Sequence, residues 1–187
     1  MRKCSLPVIL LLALLVVPAA ATAQERGQTG LVMGFPVSFG VIWHASDRLA
    51  VRPEVSFTHT SQETQTNFIS GSSESNSDAF TVGASVLWYL AKSDNIRTYV
   101  APRFTYGQLS TDIPNTGAPA TEADAFSITG SFGAQYTPAR KFAVFGEIGY
   151  GLSRTKSTFS SNVTTAESTS RAWATRGAVG VIFYFGG

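Results

Sequence analysis

Apolar and polar residues alternate with period two along most of the chain. Between Ala125 and Tyr136, one parity holds Phe126, Ile128, Gly130, Phe132, Ala134 and Tyr136, and the other holds Ser127, Thr129, Ser131, Gly133 and Gln135. Successive side chains of a strand point to opposite faces, so this alternation predicts β-strand. It recurs with Leu49, Val51, Val55 and Phe57, with Phe80, Val82, Val86, Trp88 and Leu90, with Phe142, Val144, Ile148 and Tyr150, and with Trp173, Val179, Val181, Phe183 and Phe185.

What occupies the opposite parity separates two kinds of β-protein. A soluble sandwich or barrel turns its apolar face inward and covers the outside with Lys, Glu and Asp. Here the second parity is mostly Gly, Ala, Ser and Thr. Its mid-strand charges are few, namely Arg52, Glu54, Arg97, Arg103, Glu147 and Arg176, each opposite in parity to its strand's aromatics. Small residues with isolated charges suit a narrow filled lumen, and large aromatics suit lipid. The pattern therefore favours a transmembrane barrel.

Connections supply strand count and orientation. Short turns fall at 46–48, 92–95 and 138–140, and long Ser-, Thr- and Asn-rich connections at 60–78, 110–123 and 155–170. They alternate strictly, as short periplasmic turns and long extracellular loops do in outer-membrane barrels. Seven strands follow, at about 37–45, 49–59, 79–91, 96–109, 124–137, 141–154 and 171–185. Residues 27–35 supply the eighth strand that an even count requires if the chain turns near Gly34-Phe35-Pro36, the alternative being one long strand over 29–43 bent at Pro36. Trp43, Trp88, Tyr136, Phe142 and Phe185 then lie near the short turns, and Phe57, Phe80, Tyr106, Phe126, Tyr150 and Trp173 near the long loops. Eight residues separate Phe80 from Trp88, ~26 Å along a strand before tilt and comparable to the ~25 Å apolar band of such barrels.

Composition agrees with this class: 44% of the 187 residues are apolar, 14% are charged, and one is cysteine. That excludes a disordered chain and a disulfide-stapled fold. At the N-terminus, Arg2 and Lys3 precede the apolar run Val8–Val17, and Ala21-Thr22-Ala23 fits a signal-peptidase site. Residues 1–23 are thus expected to be a cleaved leader and 24–187 a single barrel domain. Cys4 would leave with the leader. Removing Arg2 and Lys3 from the 14 basic residues leaves 12, equal to the 12 acidic ones, so no nucleic-acid partner is implied. The mature chain has no uninterrupted apolar 18-mer of the kind a transmembrane helix needs.

The segment Ser46-Asp47-Arg48-Leu49-Ala50-Val51-Arg52-Pro53-Glu54-Val55-Ser56-Phe57 resembles the recurrent hairpin of the small outer-membrane β-barrel domain family, broadly of the OmpA and OmpX type. The ending Gly180-Val181-Ile182-Phe183-Tyr184-Phe185 is similar to the signal by which the barrel assembly machinery recognises a last strand, with Gly180, Phe183 and Phe185 at its defining positions and Gly186 and Gly187 beyond it. The resemblance spans 27–187. It implies fold and compartment more than activity, because such barrels serve as adhesins, integrity proteins, narrow channels and occasionally lipid-modifying enzymes.

Candidate chemistry is sparse. His59 and Ser61 share lipid-facing parity at an outer strand end and resemble the His-x-Ser pair of barrel-type lipid A deacylases, but Gln62 stands where that group has Asn. A hydroxyl nucleophile also needs a carboxylate to orient its base, and only Glu63 or Asp78 could serve. In so Ser- and Thr-rich a chain the pair reads as chance, and no enzymatic activity is expected. His44, inward and near the periplasmic end, reads as a satisfied lumen residue. The acidic residues in and beside the long connections show no metal-ligand spacing, so neither metal nor cofactor is expected. The six lumen charges sum to +2 and read as a network of paired Arg and Glu, with a narrow anion-preferring channel as the alternative. Arg154, Lys156 and Arg171 form an unpaired basic trio at the outer rim, placed to meet lipopolysaccharide phosphates. The chain is therefore expected to be an integral outer-membrane barrel of eight strands with a filled lumen. Its expected role is envelope integrity or surface interaction through loops whose partner the sequence does not name.

Overall fold

The computed structural model describes residues 27–66, 71–93, 95–112, 121–160 and 165–185. Eight strands follow in chain order: β1 (Thr29–Phe35), β2 (Ser38–Ser46), β3 (Leu49–Thr66), β4 (Gly71–Lys92), β5 (Ile96–Asp112), β6 (Thr121–Ala139), β7 (Phe142–Ser160) and β8 (Thr165–Phe185). Each pairs antiparallel with the next, and β1 pairs with β8, closing the ring. The leader expected at 1–23 lies outside the described residues, as do Gly186 and Gly187.

One expectation is met and one needs correction. The chain turns near Gly34-Phe35-Pro36 and supplies the eighth strand, because Gly34 pairs with Ser38 across the tight turn at Pro36, so the alternative of one bent strand over 29–43 falls away. Two of the three long connections are not mainly loop: β3 and β4 stay paired from Leu49↔Trp88 to Thr66↔Gly71, and β7 and β8 to Ser160↔Thr165. The reason lies in the backbone. A hairpin continues wherever both chains keep extended geometry, and threonine favours that geometry whichever face is wet. Hydroxyl pairs add to the ladder, with Ser77 Oγ 3.1 Å from Thr111 Oγ1 and Thr105 Oγ1 2.6 Å from Ser127 Oγ.

The faces are inverted relative to a soluble domain. Trp88, Ile128, Phe132, Ile148, Trp173 and Val179 are exposed on the outside, whereas Arg52, Glu54, His44 and Glu147 are buried inside. Sequestering charge and displaying aromatics is stable only where the outer medium is apolar. Inward glycines seat two of the lumen rings. Tyr99 pairs with Gly133 and Phe145 with Gly180, and a Cβ on either glycine would lie 2.6 Å from the neighbouring ring.

Ring closure does not extend over the full height. The β1–β2 hairpin ends near Pro36, so β2 last meets β3 at Phe39↔Val55 and β1 last meets β8 at Phe35↔Val179. Above that level β3 pairs only with β4, and β8 only with β7. Residues 57–62 and 166–175 are accordingly exposed on both parities. A six-stranded wall thus rises above the ring, with an opening about 14 Å wide if three strand spacings separate its edges.

Candidate functional site

The lumen is filled in two storeys. Arg52 and Glu54 stand two apart on β3 and so point inward together, and the line Arg52↔Ser85↔Arg103 carries the site across β4 to β5. Arg52 Nε donates to Glu54 Oε1 at 2.7 Å, and Arg103 Nη2 reaches Glu54 Oε2 at 2.7 Å. From the far wall, Glu147 on β7 places Oε1 2.6 Å from Arg52 Nη1, a close charge contact whose angles are not those of a hydrogen bond. Glu147 also accepts from Tyr99 OH at 2.8 Å and from Arg176 Nη1 at 3.1 Å, while Ser85 Oγ donates to Glu54 at 3.2 Å. The Arg52 guanidinium lies 5.1 Å from the Phe145 ring centroid.

Nearer the short turns the filling is aromatic and aliphatic, with Ile42, Leu87 and Ile182 fully buried, and uncharged apart from Arg97. His44 stacks on Tyr89 at 5.5 Å, and Tyr89 meets Tyr99 edge-on at 5.5 Å. Gln135 ties this layer together, accepting from Tyr89 OH at 3.1 Å and donating to Tyr184 OH at 2.8 Å. Arg97 lies over Tyr89, 5.8 Å from its centroid. Five of the six lumen charges are therefore brought into one connected group, and Arg97 sits apart in the lower layer. Tyr89, Tyr99 and Tyr184 fill the lumen as their inward parity and bulk lead one to expect, and Ser85, Gln135 and Phe145 belong to the site as well. Their inward parity is readable in the sequence; their partners depend on cross-strand register.

At the outer rim, Arg154 and Arg171 lie directly opposite each other on β7 and β8. The expected unpaired trio is corrected to a pair, because Lys156 Nζ is 3.0 Å from Glu167 Oε2. Once 155–170 is a hairpin, Glu167 stands beside the lysine instead of in a distant loop. Tyr106 OH donates to Asp124 Oδ1 at 2.8 Å. His59 Nδ1 lies 2.7 Å from Asp78 Oδ1, its direct cross-strand partner, whereas Ser61 stands opposite Asn76 and makes no hydrogen bond to His59. Among the described residues no three His, Cys, Asp or Glu side chains gather into a metal-holding group. Of the terminal signal, Gly180 lies against Phe145, Phe183 packs on Phe142 at 5.3 Å and Phe185 pairs with Thr29.

No protein-family model and no curated protein matches this chain. Solved structures do. A major outer membrane protein of Thermus thermophilus superposes with a TM-score of 0.57 at 11% identity, covering 84% of this chain and 98% of that one. CarO of Acinetobacter baumannii gives 0.44 at 12% identity over 88% and 100% of the two chains. Ail, the attachment invasion locus protein of Yersinia pestis, gives 0.46 at 11% identity over 86% and 99%. The narrower likeness to the OmpA and OmpX type rests on the sequence alone. With eight antiparallel strands in a closed ring, apolar outside and charged within, the chain has the fold of the small outer-membrane β-barrel proteins.

Proposed function

We propose that this protein is an integral barrel of the bacterial outer membrane whose lumen is a packed core, and that it works through its surface, in envelope integrity or in interactions at the cell exterior. The observation that carries this reading is the connected group of Arg52, Glu54, Arg103, Glu147 and Arg176. Side chains bridge the lumen from β3 to β7, and the cavity bounded by Val32, Ser38, Arg52, Glu54, Phe145 and Arg176 measures ≈ 10 Å³. That is at the lower limit for one water molecule, far from an aqueous path. In this reading the wall above the ring is the working surface, the last strand is what the assembly machinery engages, and the protein is not an enzyme. Recording in planar bilayers tests it. Conductance at background is expected, and a discrete ion-selective conductance from the parent would replace the plug with a narrow channel.

A hydrolase reading has one observation in its favour, the His59–Asp78 contact. Among the described residues no hydroxyl is joined to that histidine, which a Ser-based acyl transfer requires. Lipid A from cells expressing the protein is expected to keep its mass, and loss of an acyl chain that His59→Ala abolishes would establish the enzyme.

A further inference from the structure

On the outer rim, Arg154 and Arg171 form a directly opposed cross-strand pair of like charge. Like charges so placed repel, and a sheet carries them at a cost unless something lies between them. Among the described residues neither arginine has a carboxylate, amide or ring partner. The acids on the adjoining strands are engaged: Glu167 with Lys156, and Asp124 with Tyr106 and Gln108. We infer that Arg154 and Arg171 together bind the phosphate of a phosphorylated glycolipid in the outer leaflet; this rests on the outer-membrane reading above.

Three features set the class of ligand. Two guanidinium forks at directly opposed positions of one outward face suit a tetrahedral dianion, which each can hold with paired N–H donors. An anion between them turns their repulsion into attraction. Directly below, two residues or ~7 Å down the strands, lies the pair Leu152↔Trp173, and Trp173 stacks on Tyr150 at 5.4 Å and 10° between planes. The cations thus stand at the upper border of the apolar face. Beside Arg154 opens a groove of ≈ 170 Å³ lined by Tyr106, Asp124, Ala125, Phe126 and Lys156. A ligand that carries phosphate above and apolar chain or sugar ring below meets both halves of this surface, and free phosphate meets one. Lys156, held by Glu167, flanks the site. The Asp124 carboxylate at the groove wall disfavours a second anion there, so the arginine pair takes a single phosphate.

The test uses the full barrel in neutral detergent, with thermal unfolding followed during titration. The probes are diphosphoryl lipid A, the same lipid with its phosphates removed, and inorganic phosphate. A ligand bound by the native state raises the unfolding temperature by mass action. The parent is expected to be stabilised by diphosphoryl lipid A and not by the dephosphorylated lipid, with free phosphate acting only at far higher concentration. Arg154→Gln/Arg171→Gln should need at least tenfold more lipid A for the same shift. Arg171→Glu replaces the opposed pair with an Arg–Glu pair, so it should fold at least as stably as the parent and also lose the response. Equal shifts in parent and variants overturn the site. An equal response to dephosphorylated lipid overturns phosphate recognition, and free phosphate matching lipid A at equal concentration overturns the glycolipid assignment. Fractionation of parent-expressing cells into inner and outer membranes reports separately on the outer-membrane reading.

Discussion

Replacing Glu147 with Gln removes one charge from the centre of the lumen while keeping shape and an oxygen able to accept from Tyr99. The loss divides between two arginines. Arg176 has a side chain 25% exposed, so solvent screens most of what it forfeits, and a pair of that kind contributes about 0–1 kcal/mol. Arg52 is 2% exposed and keeps Glu54 on Nε, so it loses one of its two carboxylates in a dry setting. Breaking a buried pair costs roughly 3–5 kcal/mol, and the retained Glu54 contact places the sum at the lower end, about 3 kcal/mol. The connected group also shifts from three arginines against two glutamates to three against one, which acts in the same direction. Urea unfolding in detergent or lipid vesicles, followed by fluorescence of the outward Trp43, Trp88 and Trp173, measures this directly. Adding Arg52→Met removes the stranded cation, and the double variant should recover part of the loss, with a coupling of about 2 kcal/mol across the cycle. A Glu147→Gln protein within about 0.5 kcal/mol of the parent, or a cycle without coupling, would refute the argument that this network is dry and mutually dependent.

The glycine seats give a second expectation. Gly133→Ala and Gly180→Ala should each lower stability by about 1–3 kcal/mol through contact with Tyr99 and Phe145, whereas Gly146→Ala should be neutral because nothing lies within 4 Å of a Cβ there; equal urea midpoints for all three variants would refute the packing. For Gly180→Ala the deficit should persist in refolding without assembly factors, which separates packing from recognition. Ring closure gives a third: because backbone pairing there is internal, the protein should resist cold SDS and change gel mobility only on heating. Identical mobility before and after boiling would count against closure.

Much of the ring is legible in the sequence because one physical demand, apolar outside and small or charged inside, writes itself at every second residue. Phe126 to Tyr136 and Phe80 to Leu90 need no further information. Where that demand ends, the signal ends. Above Phe57 and Trp173 both faces meet water, alternation fades, and a Ser- and Thr-rich ladder reads as loop although its backbone pairing continues. The lumen charges can be named from parity, but their partners cannot. Glu147 meets Arg52 only because β3 and β7 face each other across the barrel, and Gln135 joins two tyrosines 46 and 49 residues away. Lys156 reads as unpaired for the same reason: its partner Glu167 faces it only once the hairpin has formed.

The short β1–β2 hairpin gives the molecule two mechanical regimes. In the closed ring no strand can leave alone, since parting from one neighbour still leaves it bound to the other, so opening there is collective. On the free edges of β3 and β8 a residue detaches by breaking the ladder on one side only, and detachment can travel inward step by step from the rim. Amide protons along 57–62 and 166–175 therefore exchange through small local excursions, while those of the ring wait for global unfolding. Changes of length in the rising wall, made in matched pairs of residues on β3 and β4 or on β7 and β8, leave the ring's closure condition untouched. The wall can vary in height and sequence while the closed ring stays fixed.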